Sequence, residues 1–261
     1  MNVARLHATV DGPAAGPVLV LGSSLGTTGA MWQPQVARLA ERFRVVRYDH
    51  RGHGGSEVRD EPCTVADLAR DVLGLLDRLG VGRAHHAGLS LGGMVGMWLA
   101  AHAPERVDRL AVLCTSARLG PAHGWLDRAS AVRAGGPAAV ADAVVQRWFT
   151  PAFATARPEV VARHRAMLVG IDREGYARCC EAIATMDLVA DLRRVTAPTL
   201  VVAGAEDLAT PVEHAALIAA TVPGSRLVVV EPGAHLVSVE RADEVTGLLL
   251  EHFGPPRDPT A

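Results

Sequence analysis

Short runs of β-branched and aliphatic residues, bounded by Gly or Asp, alternate along most of the chain with Ala- and Leu-rich segments whose apolar positions recur every three or four residues. The first pattern predicts buried strands of a parallel sheet and the second predicts crossover helices. Strands are expected at residues 17–21, 43–48, 84–89, 109–114, 199–203 and 226–230, with 5–10 as an outer one, and helices at 65–79, 92–103, 212–221 and 242–252. The alternation stops from about residue 119 to 192, where the sequence is Ala- and Arg-rich, contains Trp125, Trp148 and Tyr176, and has helical periods without a strand. The expected architecture is therefore an α/β core, a mostly parallel doubly wound sheet formed by residues 1–118 and 193–261. A helical cap, residues 119–192, is inserted between two strands. Ligands of open α/β sheets bind outside the carboxyl ends of the strands, which is where such a cap would act as a lid. Residues 254–261 contain Pro255, Pro256 and Pro259 and are expected to be a frayed end or a linker.

A length of 261 residues suits one large core with an insertion. Basic and acidic residues nearly cancel, for a formal charge of -2, so no basic face points to nucleic acid or an anionic membrane. Small-molecule partners are expected instead. The first ten residues are broken by Arg5 and His7, and no apolar run has the length of a signal peptide or a membrane span, so a cytoplasmic protein is expected. Cys63, Cys114, Cys179 and Cys180 lack metal-ligand spacing and read as reduced thiols.

Gly88-Leu89-Ser90-Leu91-Gly92 is a G-x-S-x-G sequence between a predicted strand and a predicted helix. In that context it reads as a nucleophile elbow, a tight turn that lifts a serine hydroxyl out of the sheet. Such a pentapeptide arises by chance in glycine-rich chains, so its weight comes from placement and from two partners downstream. After the strand at 199–203 comes Gly204-Ala205-Glu206-Asp207, and after the strand at 226–230 comes Glu231-Pro232-Gly233-Ala234-His235. Each puts a chemically active side chain in a loop at a strand's C-terminal end. Ser90, then a carboxylate, then His235 is the chain order of α/β-hydrolase triads. Either Asp207 or its neighbour Glu206 fits the carboxylate position. His50 and His53, after an earlier strand, read as scaffolding of the pocket floor. An oxyanion hole needs two backbone N–H donors. Leu91, next after the serine, supplies one, and Leu25, in the loop Gly22-Ser23-Ser24-Leu25-Gly26-Thr27, is expected to supply the other.

With these residues in place the chain resembles the 3-oxoadipate enol-lactone hydrolases of the α/β-hydrolase superfamily over nearly its whole length. The resemblance rests on Ser24-Leu25-Gly26-Thr27 with Met31-Trp32, on Tyr48-Asp49-His50-Arg51-Gly52-His53-Gly54, and on Gly88 to Gly96. In the cap it rests on Arg147-Trp148-Phe149-Thr150, Gly175-Tyr176 with Cys179-Cys180, and Met186-Asp187-Leu188; Gly204 to Pro211 and Gly233-Ala234-His235-Leu236 complete it. The elbow and triad specify the superfamily, and the cap segments suggest the lactonase. Ser23 stands where the family usually carries Asn, and His50 where it commonly carries Gln.

The resemblance implies the α/β-hydrolase fold, Asp207 rather than Glu206 as the triad acid, and opening of an enol lactone to 3-oxoadipate in aromatic degradation by the β-ketoadipate pathway. Ser90 would attack the carbonyl, with His235 as base and Asp207 as its partner, and no metal or organic cofactor is implied. The substrate would be a small anionic lactone whose carboxylate needs a cation. Arg128 and Arg133 are the candidates, with Arg147 behind them, beside the aromatic walls Trp125 and Trp148. Trp125 and Arg128, at i and i+3, can share one helix face. Some relatives are fused to a carboxymuconolactone decarboxylase, so the resemblance implies a stand-alone enzyme or one half of such a fusion. A general carboxylesterase, a perhydrolase, a carbon-carbon bond hydrolase and a slow-turnover ligand sensor share the same signature and stay open as alternatives.

Overall fold

The alternating pattern folds into a seven-stranded sheet in a computed structural model that describes residues 3–254. The strands are β1 (Ala8–Asp11), β2 (Val18–Gly22), β3 (Arg44–Tyr48), β4 (Ala84–Leu89), β5 (Val107–Leu113), β6 (Thr199–Gly204) and β7 (Arg226–Val230). Their order across the sheet is β1-β3-β2-β4-β5-β6-β7, parallel throughout except for β1, which pairs antiparallel with β3. Every residue of β4 and of β6 is buried, as expected of central strands covered on both faces.

The helices are α1 (Gln33–Leu39), α2 (Val65–Arg78), α3 (Leu91–His102), α4 (Ala122–Gly135), α5 (Ala141–Val145), α6 (Pro151–Ala156), α7 (Pro158–Val169), α8 (Arg173–Ala184), α9 (Val212–Thr221), α10 (Val237–Glu240) and α11 (Ala242–Phe253). In α2 the start is set by a capping box, in which the Thr64 hydroxyl accepts from the Asp67 amide while the Asp67 carboxylate accepts from the Thr64 amide. By contrast α3 is buried almost all round, because it follows the serine turn into the middle of the molecule. The segment between β5 and β6 contains no strand and carries α4 to α8, with α4 packed against α8.

The predicted outer strand starts three residues later than the pattern suggested. The amides of Ala4, Arg5 and His7 bond to Asp71 Oδ1, Glu57 Oε2 and Ser56 Oγ at 2.7, 2.8 and 2.9 Å, so side chains take the donors a ladder would use. The proline-rich residues 255–261, expected to be a tail, lie outside the described residues. No helix among the described residues is long and apolar enough to cross a membrane.

Candidate active site

Ser90 sits between β4 and α3 with φ 55° and ψ -113°, one of two non-glycine residues of positive φ among the described residues. Its amide donates to the Leu113 carbonyl at 2.9 Å and its carbonyl accepts from the Thr115 hydroxyl at 2.7 Å, so the end of β5 and the residues just after it hold the strained turn. The flanking glycines are needed for a reason the motif alone does not give. A Cβ on Gly88 would lie 2.1 Å from the Gly92 carbonyl oxygen, and one on Gly92 would lie 2.3 Å from the backbone of Gly22. The crowding is thus between backbones that meet around the serine, and β2 is one of them.

Asp207 and His235, which the sequence places in separate loops, are brought together. His235 Nδ1 lies 2.9 Å from Asp207 Oδ2, and both side chains are buried. The carboxylate also accepts from the amides of Ala209 and Thr210 at 2.8 and 3.0 Å and from the Thr210 hydroxyl at 2.7 Å. Burial pushes the Asp207 pKa up, but the His235 charge and these hydrogen bonds outweigh it and hold the carboxyl at about 2. An ionised acceptor at Nδ1 fixes the tautomer and leaves Nε2 as the basic nitrogen. Glu206 has no part in this arrangement: its amide bonds to the Gly233 carbonyl, and its side chain is exposed.

Ser90 and His235 line one cavity of about 270 Å³ together with Leu25, Trp125, Arg128, Arg147 and Trp148. Among the described residues the Ser90 hydroxyl makes no hydrogen bond. In the loop after β2, Ser24 N donates to Met31 Sδ, Gly26 N to His53 Nε2 and Thr27 N to Ser24 O. Leu25 N has no acceptor among the described residues, and neither has Leu91 N, the first amide of α3. His53 Nδ1 lies 3.1 Å from the Arg51 carbonyl, which makes Nδ1 the donor and Nε2 the acceptor for Gly26. His50 Nε2 lies 2.9 Å from the Ser23 carbonyl. The two histidines therefore brace the loop of Leu25, a more specific role than the pocket floor. The Ser23 hydroxyl, where the family usually has Asn, is buried without a partner among the described residues.

The cap arginines divide. Arg128 lines the cavity with its guanidinium over the rings of Trp125 and Tyr176, 5.1 and 5.3 Å from their centroids, and it donates to the Tyr176 hydroxyl. Arg147 lines it too, half-buried, and burial followed by the nearby Arg128 charge lowers its pKa. Among the described residues neither has a carboxylate partner. Arg133, expected as a substrate anchor, is not at the cavity. It is held by Glu174 at 2.7 and 2.9 Å and by Glu181 at 2.6 Å, both on α8, so its charge is already neutralised in the joint between α4 and α8. Thr210 and Thr115 were not singled out beforehand. Asp207-x-x-Thr210 is a turn pattern the sequence does offer, whereas Thr115 lies 25 residues from the serine and carries no local signal.

Residues 17–242 match the model of the alpha/beta hydrolase fold family. The chain belongs to the α/β-hydrolase family. It is 40% identical over 240 residues to 3-oxoadipate enol-lactonase 2 of Acinetobacter baylyi, covering 92% of this chain and 89% of that one. The crystal structure of the enol-lactonase from Burkholderia xenovorans superposes with a TM-score of 0.94 at 41% identity, covering 97% of each chain. A protein of Azorhizobium caulinodans named as a carbamate hydrolase, RutD, is 32% identical over 247 residues, covering 92% of each. The chain is thus a hydrolase, in line with the carboxylic ester hydrolase expected from its sequence.

Proposed function

We propose that the chain opens the ring of 3-oxoadipate enol-lactone, or a closely similar anionic lactone, through an acyl-enzyme on Ser90. The observation that carries this reading is a cavity lined by a serine, a carboxylate-paired imidazole and two guanidiniums that have no carboxylate of their own among the described residues. In this mechanism His235 Nε2 takes the Ser90 proton as Oγ attacks the lactone carbonyl, and Asp207 stabilises the imidazolium that forms. The amides of Leu25 and Leu91 receive the oxyanion. The ring oxygen leaves as an enolate, takes the proton from His235 to give an enol, and the enol tautomerises to the ketone by moving that proton to carbon, so the leaving group is far better than an alkoxide. Water activated by His235 then releases the acid and restores Ser90.

Arg128 and Arg147 bind the remote carboxylate, against the apolar walls Trp125 and Trp148, and residues 119–192 serve as the cap that closes over it. The names of the A. baylyi and B. xenovorans relatives support the lactone, and through it a place in aromatic degradation. Four unbridged, buried cysteines support a reducing, cytoplasmic setting. The test is a panel assayed with purified protein: enol lactones with and without a carboxylate, neutral esters of the same size, and carbamates. Preference for the anionic lactone by two decades or more in kcat/KM supports the reading, and a preference for carbamates or neutral esters replaces it.

A further inference from the structure

A second cavity, of about 450 Å³, is lined in part by Ala30, Met31, Gln33 and Pro34, which follow the loop of Leu25 along the chain. It shares no lining residue with the cavity of Ser90. Its wall is apolar, built from Met31, Phe153, Val160, Met167 and Val239, and its charged lining residues are Arg157 and Arg163. Among the described residues no carboxylate lines it. Arg163 is exposed and has no ion pair among the described residues, while Arg157 gives only its Nε to Glu159, at 2.7 Å. The inner wall includes His164, buried and without a partner for Nε2 among the described residues, its Nδ1 being 2.8 Å from the Val160 carbonyl.

Two wall residues reach directly into the catalytic loop. Met31 Sδ accepts from the Ser24 amide at 3.3 Å and the Thr27 hydroxyl at 3.0 Å, and Met167 Sδ accepts from the Thr28 amide at 3.2 Å. A third, Val239, lies on α10, which directly follows the His235 loop. Its neighbour Glu240 accepts from the amides of Ala234 and Thr150 at 3.1 and 3.3 Å, tying that loop to the cap. Thioether side chains are flexible and repack around a guest. A molecule that displaced Met31 or Met167 would therefore alter the hydrogen bonds that set the position of Leu25.

We infer that this second cavity is an effector site for a small amphiphilic carboxylate, its chain or ring against the methionine wall and its charge between Arg157 and Arg163. Such a ligand fits the lining as a neutral or cationic one does not, because the described lining offers two guanidiniums and a largely apolar wall, with Gln33 and His164 as its other polar groups. Occupation acts on the loop of Leu25 and so changes kcat more than KM.

The test uses octanoate as the probe and octanol as its neutral counterpart, with binding read by calorimetry and turnover read on whichever ester or lactone the protein hydrolyses. The expected result is saturable one-to-one binding of octanoate with a dissociation constant below about 1 mM. Octanol should bind at least tenfold more weakly, and kcat should change twofold or more at saturation with KM nearly constant. A double variant, Arg157→Gln with Arg163→Gln, should weaken octanoate at least tenfold while leaving turnover without octanoate unchanged. The calorimetric arm is independent of what Ser90 hydrolyses, so failure of the lactone reading and failure of this one are distinguishable. Octanoate that binds the double variant as tightly as the wild type, or that only competes with substrate, overturns the site. Binding that leaves kcat untouched overturns its effector role.

Discussion

His50 Nε2 lies 2.9 Å from the carbonyl oxygen of Ser23, and the same oxygen accepts the Gly92 amide at 3.0 Å. One carbonyl thereby joins the loop after β2, the loop after β3 and the first turn of α3. Ser23 is two residues before Leu25 and Gly92 is one after Leu91, so this junction sets the spacing of the two proposed oxyanion donors. Burial first, and the nearby His53 second, hold the His50 pKa down at about 3, so the ring is neutral and donates through one nitrogen. His50→Leu is expected to lower kcat by roughly 10- to 100-fold with little change in KM, and His50→Gln, which keeps an N–H donor, to recover most of the loss. Steady-state kinetics of the pair decide it: equal damage in both variants makes the residue's shape, not its donor, what matters.

The positive φ of Ser90 separates chemistry from stability. Ser90→Ala should lower kcat by about four to six decades while keeping the strained turn. Ser90→Gly should be as inactive yet more stable than Ser90→Ala, by roughly 1 kcal/mol, because glycine adopts φ 55° without steric cost. Turnover of either variant within tenfold of wild type removes Ser90 from the mechanism, and denaturant unfolding of the two compares their stabilities.

The sheet and the placement of the candidate triad were legible because both are local in sequence. A buried strand shows as an apolar run, and each of Ser90, Asp207 and His235 follows such a run within a few positions. Arg133 illustrates what is not local. Its composition and helical setting matched those of Arg128, and only Glu174 and Glu181, 41 and 48 residues away on α8, distinguish a structural ion pair from a free cation. The short α10 and the 3₁₀ turn Gly29–Trp32 were equally invisible, being too brief to show a period. The loop histidines fall between these cases: their nearness to the pocket was readable, but their acceptor and donor roles depend on Ser23 and Gly26, more than twenty residues back.

His86, on β4, is buried against Gly96 of α3, and neither ring nitrogen has a partner among the described residues. Burial lowers its pKa to about 4. The unfolded chain then binds this proton more readily than the folded one, so the residue's contribution to stability is complete above about pH 6.5 and is lost as the pH falls toward 4. His86→Leu removes that dependence. Relative to wild type, the variant should gain about 2 kcal/mol between pH 7.5 and pH 5. Urea unfolding of both proteins at the two pH values measures the gap, and a difference that does not change with pH means His86 is not the buried neutral group described.

Arg128 and Arg147 differ from Arg133 in what their charges already satisfy, and that difference predicts three distinct phenotypes. The guanidinium of Arg128 rests over Trp125 and Tyr176 and, among the described residues, is left without a carboxylate, as is that of Arg147. A substrate carboxylate keeps its charge from the ground state to the transition state, so pairing with it contributes uniform binding. Arg128→Ala should therefore raise KM for the anionic lactone with a smaller effect on kcat, a loss of about 2 to 4 kcal/mol in kcat/KM, while a neutral ester of the same size hardly responds. Arg147→Ala should act in the same direction but less, because burial and the charge of Arg128 already disfavour its own. Arg133→Ala should leave both substrates alone and instead weaken the joint between α4 and α8, where Glu174 and Glu181 would lose their shared partner. Its signature is a lower melting temperature with unchanged KM. A variant that merely loosened the cap would slow anionic and neutral substrates alike, so the comparison of two substrates across three arginines tells anchoring from disorder. If Arg133→Ala raises KM for the anion and Arg128→Ala does not, the cavity assigned to the substrate is the wrong one.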